Sequence, residues 1–108
     1  MNPMLNESPG IRLIAFCEEY QPFRFPGWSK SDLSRAMGWT RSRLDEVLNE
    51  ELDTDFETLC AVFRLSFVDR LVRERRADWQ SILQMAGFDS VDDYEISRKM
   101  LVFSKGFI

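Results

Sequence analysis

Residues 28–49 read Trp28-Ser-Lys-Ser-Asp-Leu-Ser-Arg-Ala-Met-Gly-Trp-Thr-Arg-Ser-Arg-Leu-Asp-Glu-Val-Leu-Asn49, and the same start signal occurs in them twice. Trp28 and Ser29 precede Leu33 as Trp39 and Thr40 precede Leu44, so the pattern Trp-[Ser/Thr]-x-x-x-Leu recurs after eleven residues. A serine or threonine before a helix accepts a hydrogen bond from a backbone N–H that the first turn leaves unbonded. Asp32, three residues after Ser29, can complete a capping box and faces the positive end of the helix dipole. Trp28 with Leu33, and Trp39 with Leu44, stand where a hydrophobic staple forms. Gly38 lies between the two starts, where a left-handed residue reverses the chain at little steric cost. Two short helices joined by such a turn make a helix-turn-helix.

Helical spacing assigns the faces. Leu33, Ala36 and Met37 form one apolar stripe, and Leu44, Val47 and Leu48 form the other at i, i+3, i+4. Opposite the second stripe stand Ser42, Glu46 and Asn49, flanked by Arg41, Arg43 and Asp45. These are groups that can read base edges.

Residues 29–49 resemble the Cro/repressor-type (XRE-like) helix-turn-helix family, and the likeness covers roughly residues 10–68. The resemblance implies a small all-α helical bundle that binds double-stranded DNA as a homodimer and regulates transcription. It also implies that Lys30, at the start of the first motif helix, holds a phosphate and sets register. The expected DNA-contacting set is Lys30, Thr40, Arg41, Ser42, Arg43 and Glu46. Arg41 near the start of the second motif helix can meet guanine or phosphate, and Glu46 can accept from cytosine N4. Two features depart from the family. It often continues with Asn-Gly and basic residues, whereas this chain continues Asn49-Glu50-Glu51-Leu52-Asp53-Thr54-Asp55. Ser34 stands where alanine is usual.

A chain of 108 residues with 44% hydrophobic and 13% aromatic residues is expected to form one domain with a real core, with a C-terminal helical extension from about residue 69. Cys17 and Cys60 are isolated in apolar stretches and there is no histidine, so buried reduced thiols are expected and no metal site. The first eight residues lack a basic region leading into an apolar core, so no signal peptide is expected. No apolar run approaches the ~18 residues of a membrane span. Cytoplasmic placement follows as the default.

The net charge of −4 is unevenly spread. Residues 29–49 carry +1, residues 50–57 carry five acids and no base, and residues 58–76 carry +3 through Arg64, Arg70, Arg73, Arg75 and Arg76. Phosphate neutralisation by Lys and Arg supplies much of non-specific DNA affinity, so the acidic total works against a purely electrostatic binder. The run 45–57 can engage a basic protein surface or imitate nucleic acid, or it can be a solvated loop and helix start. The arginines at 70–76 can meet an anion, or form an ordinary solvated helix face.

The remaining elements follow in order. Ser8-Pro9 should start a helix that ends near Tyr20, with Ile11, Leu13, Ile14, Phe16, Cys17 and Tyr20 on a wide apolar face. Residues 21–27 form an aromatic-rich connection expected to pack down. Thr54 with Glu57 predicts a capping box for a helix carrying Phe56, Leu59, Cys60 and Phe63. Ser66 with Asp69 predicts a further helix start, and Trp79, Ile82, Leu83 and Ala86 define a stripe ending at Gly87. The pattern leaves open whether these last two are one helix or two. Ser90 with Asp93 predicts a final helix through Tyr94, Ile96 and Met100, and Leu101–Ile108 is β-prone and apolar, expected to dock on the domain or on a second subunit.

No histidine base, glycine-rich phosphate loop or nucleophile motif is present, so no enzyme and no cofactor is expected. The expected function is a sequence-specific transcriptional regulator acting as a homodimer. The alternative is a protein-interaction factor on the same scaffold, such as an antitoxin or a phage-encoded inhibitor of a host system, working through its acidic surface.

Overall fold

Side-chain oxygens meet the free N–H groups at five helix starts. The computed structural model describes residues 8–75 and 77–102, and every regular element among them is helical. Ser8 accepts from Ile11 N and starts α1 (Pro9–Tyr20) with proline at its first position. Ser29 and Asp32 form a complete capping box on α2 (Lys30–Met37), and Thr40 accepts from Arg43 N at the start of α3 (Arg41–Glu46). A π-helical turn, Val47–Glu51, prolongs α3. Then come α4 (Phe56–Glu74), α5 (Trp79–Met85) capped by Asp78, and α6 (Val91–Val102), where Ser90 accepts from Asp93 N. The fold is all-α. No helix among the described residues is long and apolar enough to cross a membrane.

Packing divides the chain into two units. The first comprises the described residues of Met1–Pro22 with Trp28–Phe56. Leu13 and Cys17 of α1, Leu33 of α2, and Leu44, Val47 and Leu48 are all at most 2% exposed. Each such side chain contributes about 1.5–3 kcal/mol relative to exposure. Gly10 N donates to Glu51 Oε1 at 3.0 Å, which ties the start of α1 to the end of the π turn. Trp28, just before α2, lies 4.9 Å from Phe56 between ring centroids.

The second unit comprises Phe23–Gly27 with the described residues of Glu57–Ile108. Phe23, in a 3-10 turn at Pro22–Arg24, stacks on Phe63 at 5.3 Å and meets Phe67 edge-on at 6.0 Å. Arg64 donates to the carbonyls of Phe23 (2.6 Å) and Phe25 (2.8 Å), and Arg24 donates to Met85 O (2.7 Å). These bonds hold the connection down, although Phe25 itself is exposed. Tyr94 of α6 receives Trp79 and Phe88 edge-on at 5.0 and 5.6 Å.

Several expectations are corrected. Ser66 and Asp69 open no new helix: α4 runs unbroken for 19 residues, because Phe67, Val68 and Leu71 continue the buried side begun by Leu59 and Cys60 and leave both polar residues outside. The break comes later, at left-handed Arg75, so α4 and α5 are two helices. Because α4 starts at Phe56, the box Thr54–Glu57 does not form, and the Thr54 hydroxyl donates to Asp55 O. Ala36 faces solvent, and its place in the inner stripe is taken by Ser34, buried with its hydroxyl donating to Ser31 O at 3.0 Å. Ile11 and Tyr20 are exposed, which narrows the inner face of α1. Leu101 and Val102 belong to α6 rather than to a β-prone tail, whereas Phe103, Phe107 and Ile108 lie outside the described residues.

Gly38 and Gly87 close their helices in the same way. Gly38 N and Trp39 N donate to Arg35 O and Ser34 O, and Gly87 N and Phe88 N donate to Gln84 O and Leu83 O, the Schellman pattern. Both glycines have positive φ, 74° and 95°. Their surroundings differ: a Cβ on Gly38 meets nothing within 4 Å, but one on Gly87 falls 2.4 Å from Phe23 O. Gly38→Ala should therefore cost only the left-handed strain, about 1–2 kcal/mol. Gly87→Ala should cost distinctly more in urea unfolding, since backbone must move as well.

Candidate nucleic-acid interface

Two helices joined at Gly38 need a contact that fixes their angle, and one is supplied by charge. Lys30 Nζ lies 2.8 Å from Asp45 Oδ1, so the first residue of α2 is clamped to α3 across fifteen positions of sequence. The two side chains are 32% and 47% exposed, so the pair is partly shielded from water. Leu33 and Leu44 of the same two helices are both fully buried.

The expected DNA-contacting residues are gathered on this hairpin, but their states differ. Lys30 is held by Asp45. Thr40 is exposed, with its hydroxyl oxygen engaged as the α3 cap. Arg43 and Glu46, one helical turn apart, form an ion pair with each other. Arg35 pairs with Asp32 at 3.4 Å. Arg41 and Ser42 are exposed, and their side chains make no hydrogen bond or ion pair with another described residue. Three of the four bases on residues 29–49 are thus neutralised by carboxylates of the same hairpin, and Arg41 carries its surplus charge.

Asn49 follows on the π turn and is exposed, as are Glu50, Glu51, Asp53, Asp55 and Glu57. The acids therefore begin directly where the exposed face of α3 ends. Glu51 uses one oxygen on Gly10 N, and Asp53 adopts a left-handed conformation with φ 51°. In the second unit Arg70, Arg73 and Arg75 are exposed, with Arg70 and Arg24 held 5.0 and 4.8 Å from the Phe67 ring centre. Arg76 lies outside the described residues.

Cys17 and Cys60 are buried and form no disulfide among the described residues. Burial pushes the Cys60 thiol up, outweighing the opposing pull of Arg64, so at neutral pH it is a protonated and weak nucleophile. Among the described residues no three His, Cys, Asp or Glu side chains converge as a metal site.

The residue that sequence reasoning passed over is Asp45. It appears there as one flank of the reading face, whereas its carboxylate is the anchor for Lys30. The available signal was a lysine at the start of one helix and an aspartate in the next, which the turn could bring together. Comparison of the chain with protein-family models, characterised proteins and solved structures finds no match.

The clamp can be measured by a double-mutant cycle on Lys30→Met and Asp45→Asn. A partly shielded pair should give a coupling of about 0.5–1 kcal/mol in urea unfolding, falling as salt rises. A coupling of zero would leave the hairpin angle to Leu33 and Leu44 alone.

Proposed function

We propose that this protein binds double-stranded DNA through α3, in the manner of the Cro/repressor-type proteins that residues 29–49 resemble, and that it regulates transcription as a homodimer. One observation carries the reading: Arg41 and Ser42 stand exposed on the first turn of α3 with no side-chain partner among the described residues, on a hairpin stiffened by a capping box, a Schellman turn and the Lys30–Asp45 clamp. In helix-turn-helix proteins the N-terminal residues of the second helix contact base edges. Arg41 is the residue for guanine or phosphate, with Ser42 and Glu46 beside it as base-edge contacts and Arg43 and Thr40 toward the backbone.

With most of its bases neutralised internally, such a surface binds DNA through hydrogen bonds more than through counterion release. Its affinity should then fall only gently with salt, with a slope of log K against log salt near −1 to −2, set by Arg41 and any base released from its carboxylate. Lys30 acts first as a positioning residue and meets phosphate only by leaving Asp45.

A second reading has its own support. The exposed acids from Glu50 to Asp55 adjoin the reading face and would repel a DNA backbone, which suits a protein-interaction factor whose partner is basic. Arg70, Arg73 and Arg75 offer that factor an additional surface for an acidic group.

Two kinds of variant separate the readings. Arg41→Ala should cost about 1–3 kcal/mol of binding to a selected DNA site and relax sequence preference, while an Asp45→Ala variant, which frees Lys30, should tighten binding to all sequences alike. The quadruple variant Glu50→Gln, Glu51→Gln, Asp53→Asn, Asp55→Asn keeps the fold, since Gln can still accept from Gly10 N and Asn tolerates the left-handed backbone at position 53. For a DNA-binding regulator it should raise non-specific DNA affinity. For an interaction factor it should leave DNA binding negligible and weaken a salt-sensitive protein complex. Failure of the protein to enrich any sequence from a random duplex library would end the DNA reading.

A further inference from the structure

In the second unit a groove of about 350 Å³ runs between α4 and α6, with Leu65, Ser66 and Asp69 on one wall and Tyr94, Arg98 and Val102 on the other. Positions 65 and 69 are one turn apart, and Val72 continues that side of α4 at i+3 from Asp69. On α6, positions 94, 98 and 102 succeed one another at i+4, and Val91 precedes Arg98 by two turns. Val72, Val91 and Val102 are 47%, 44% and 53% exposed. Val102 lines the groove itself, and helical spacing puts Val72 and Val91 on the sides of α4 and α6 that continue beyond it.

The charges at the groove have no counterpart among the described residues. Asp69 and Arg98 enter no ion pair among the described residues. Arg98 reaches only the Tyr94 hydroxyl, at 3.5 Å, and lies 5.8 Å from the centre of that ring. An unpaired carboxylate on one wall and an unpaired guanidinium on the other make the surface complementary to itself. A two-fold contact has this requirement: when residue i of one protomer meets residue j of its partner, j also meets i.

We propose that the α4–α6 face around this groove is the site of homodimerisation, packed against the same face of a second copy of the chain. Asp69 of each protomer pairs with Arg98 of the other, while Val72, Val91 and Val102 are withdrawn from water around the axis. The valines and the groove floor supply affinity, and the two equivalent ion pairs set register and exclude other partners. This names the surface for the pairing that the DNA-binding reading calls for and rests on that reading for its purpose, but it is tested without DNA, so each can fail alone.

The test is sedimentation equilibrium of the full chain at micromolar concentrations with the variants Asp69→Arg and Arg98→Asp. Both positions are exposed, and circular dichroism checks that each variant keeps its helices. The parent chain should dimerise. Each variant alone sets like charges against each other at both contacts, and its dimer should weaken by on the order of tenfold or more. An equimolar mixture of the two should dimerise again, because only the mixed dimer brings opposite charges together at both places. Pairing of Asp69 with Arg98 inside one chain could not produce that rescue. A monomeric parent, variants that dimerise as the parent does, or a mixture that stays dissociated would each overturn the proposal.

Discussion

A helix of six or eight residues leaves much of its backbone unbonded at its ends, and the need to satisfy those groups is the constraint on which this structure depends. Helices shorter than about 12–15 residues are marginal on their own, so each must gain from its cap and from the face it buries. Ser8, Ser29, Thr40, Asp78 and Ser90 supply the oxygens. Each cap contributes about 0.5–2 kcal/mol, comparable with burying one of the leucines inside. The caps also fix phase. Once Ser29 and Thr40 determine where α2 and α3 begin, Leu33 and Leu44 must point inward and Arg41 and Ser42 must point out.

Charge is then distributed so that the hairpin is nearly neutral by its own means. Lys30–Asp45, Arg35–Asp32 and Arg43–Glu46 are each a base and an acid of the same hairpin. Exposed pairs of this kind contribute little to stability, typically below about 1 kcal/mol. Their larger effect is on what approaches: a polyanion meets a surface with one surplus positive charge and a run of carboxylates beside it. Such a surface disfavours indiscriminate contact with DNA and leaves hydrogen bonding to decide what binds.

Most of the helices were legible because their signals are local. A cap, a glycine in left-handed conformation and an apolar stripe all act within a few residues, and Ser8, Ser29, Gly38, Thr40, Gly87 and Ser90 carry them in the residues themselves. Ser66 and Asp69 imitate such a signal in the middle of α4, where burial of Phe67, Val68 and Leu71 overrides it. The inward turn of Ser34 in place of Ala36 was hidden for a related reason: a serine can be buried when its hydroxyl finds a carbonyl in its own helix, and composition does not announce that bond. The Lys30–Asp45 contact depends on the angle between two helices, which no spacing along the chain specifies. The outward residues of α3 could be named from one helix face, but which of them were already paired could not.

The π turn at Val47–Glu51 closes with Leu52 N donating to Val47 O at 3.3 Å, a ring wider than that of an α-helix. In effect the helix has absorbed one extra residue after Leu48. Everything up to Leu48 keeps the phase set by Leu44, while the residues beyond it are rotated by about 100°, the turn that one α-helical residue makes. Loss of a single residue here would let an ordinary helix close and would swing the carboxylates of Glu50 and Glu51 around its axis, while Leu44, Val47 and Leu48 stayed in place. The electrostatic border of the outer face of α3 can therefore be retuned by insertion or deletion of one codon, a route of variation that leaves Leu44, Val47 and Leu48 unedited.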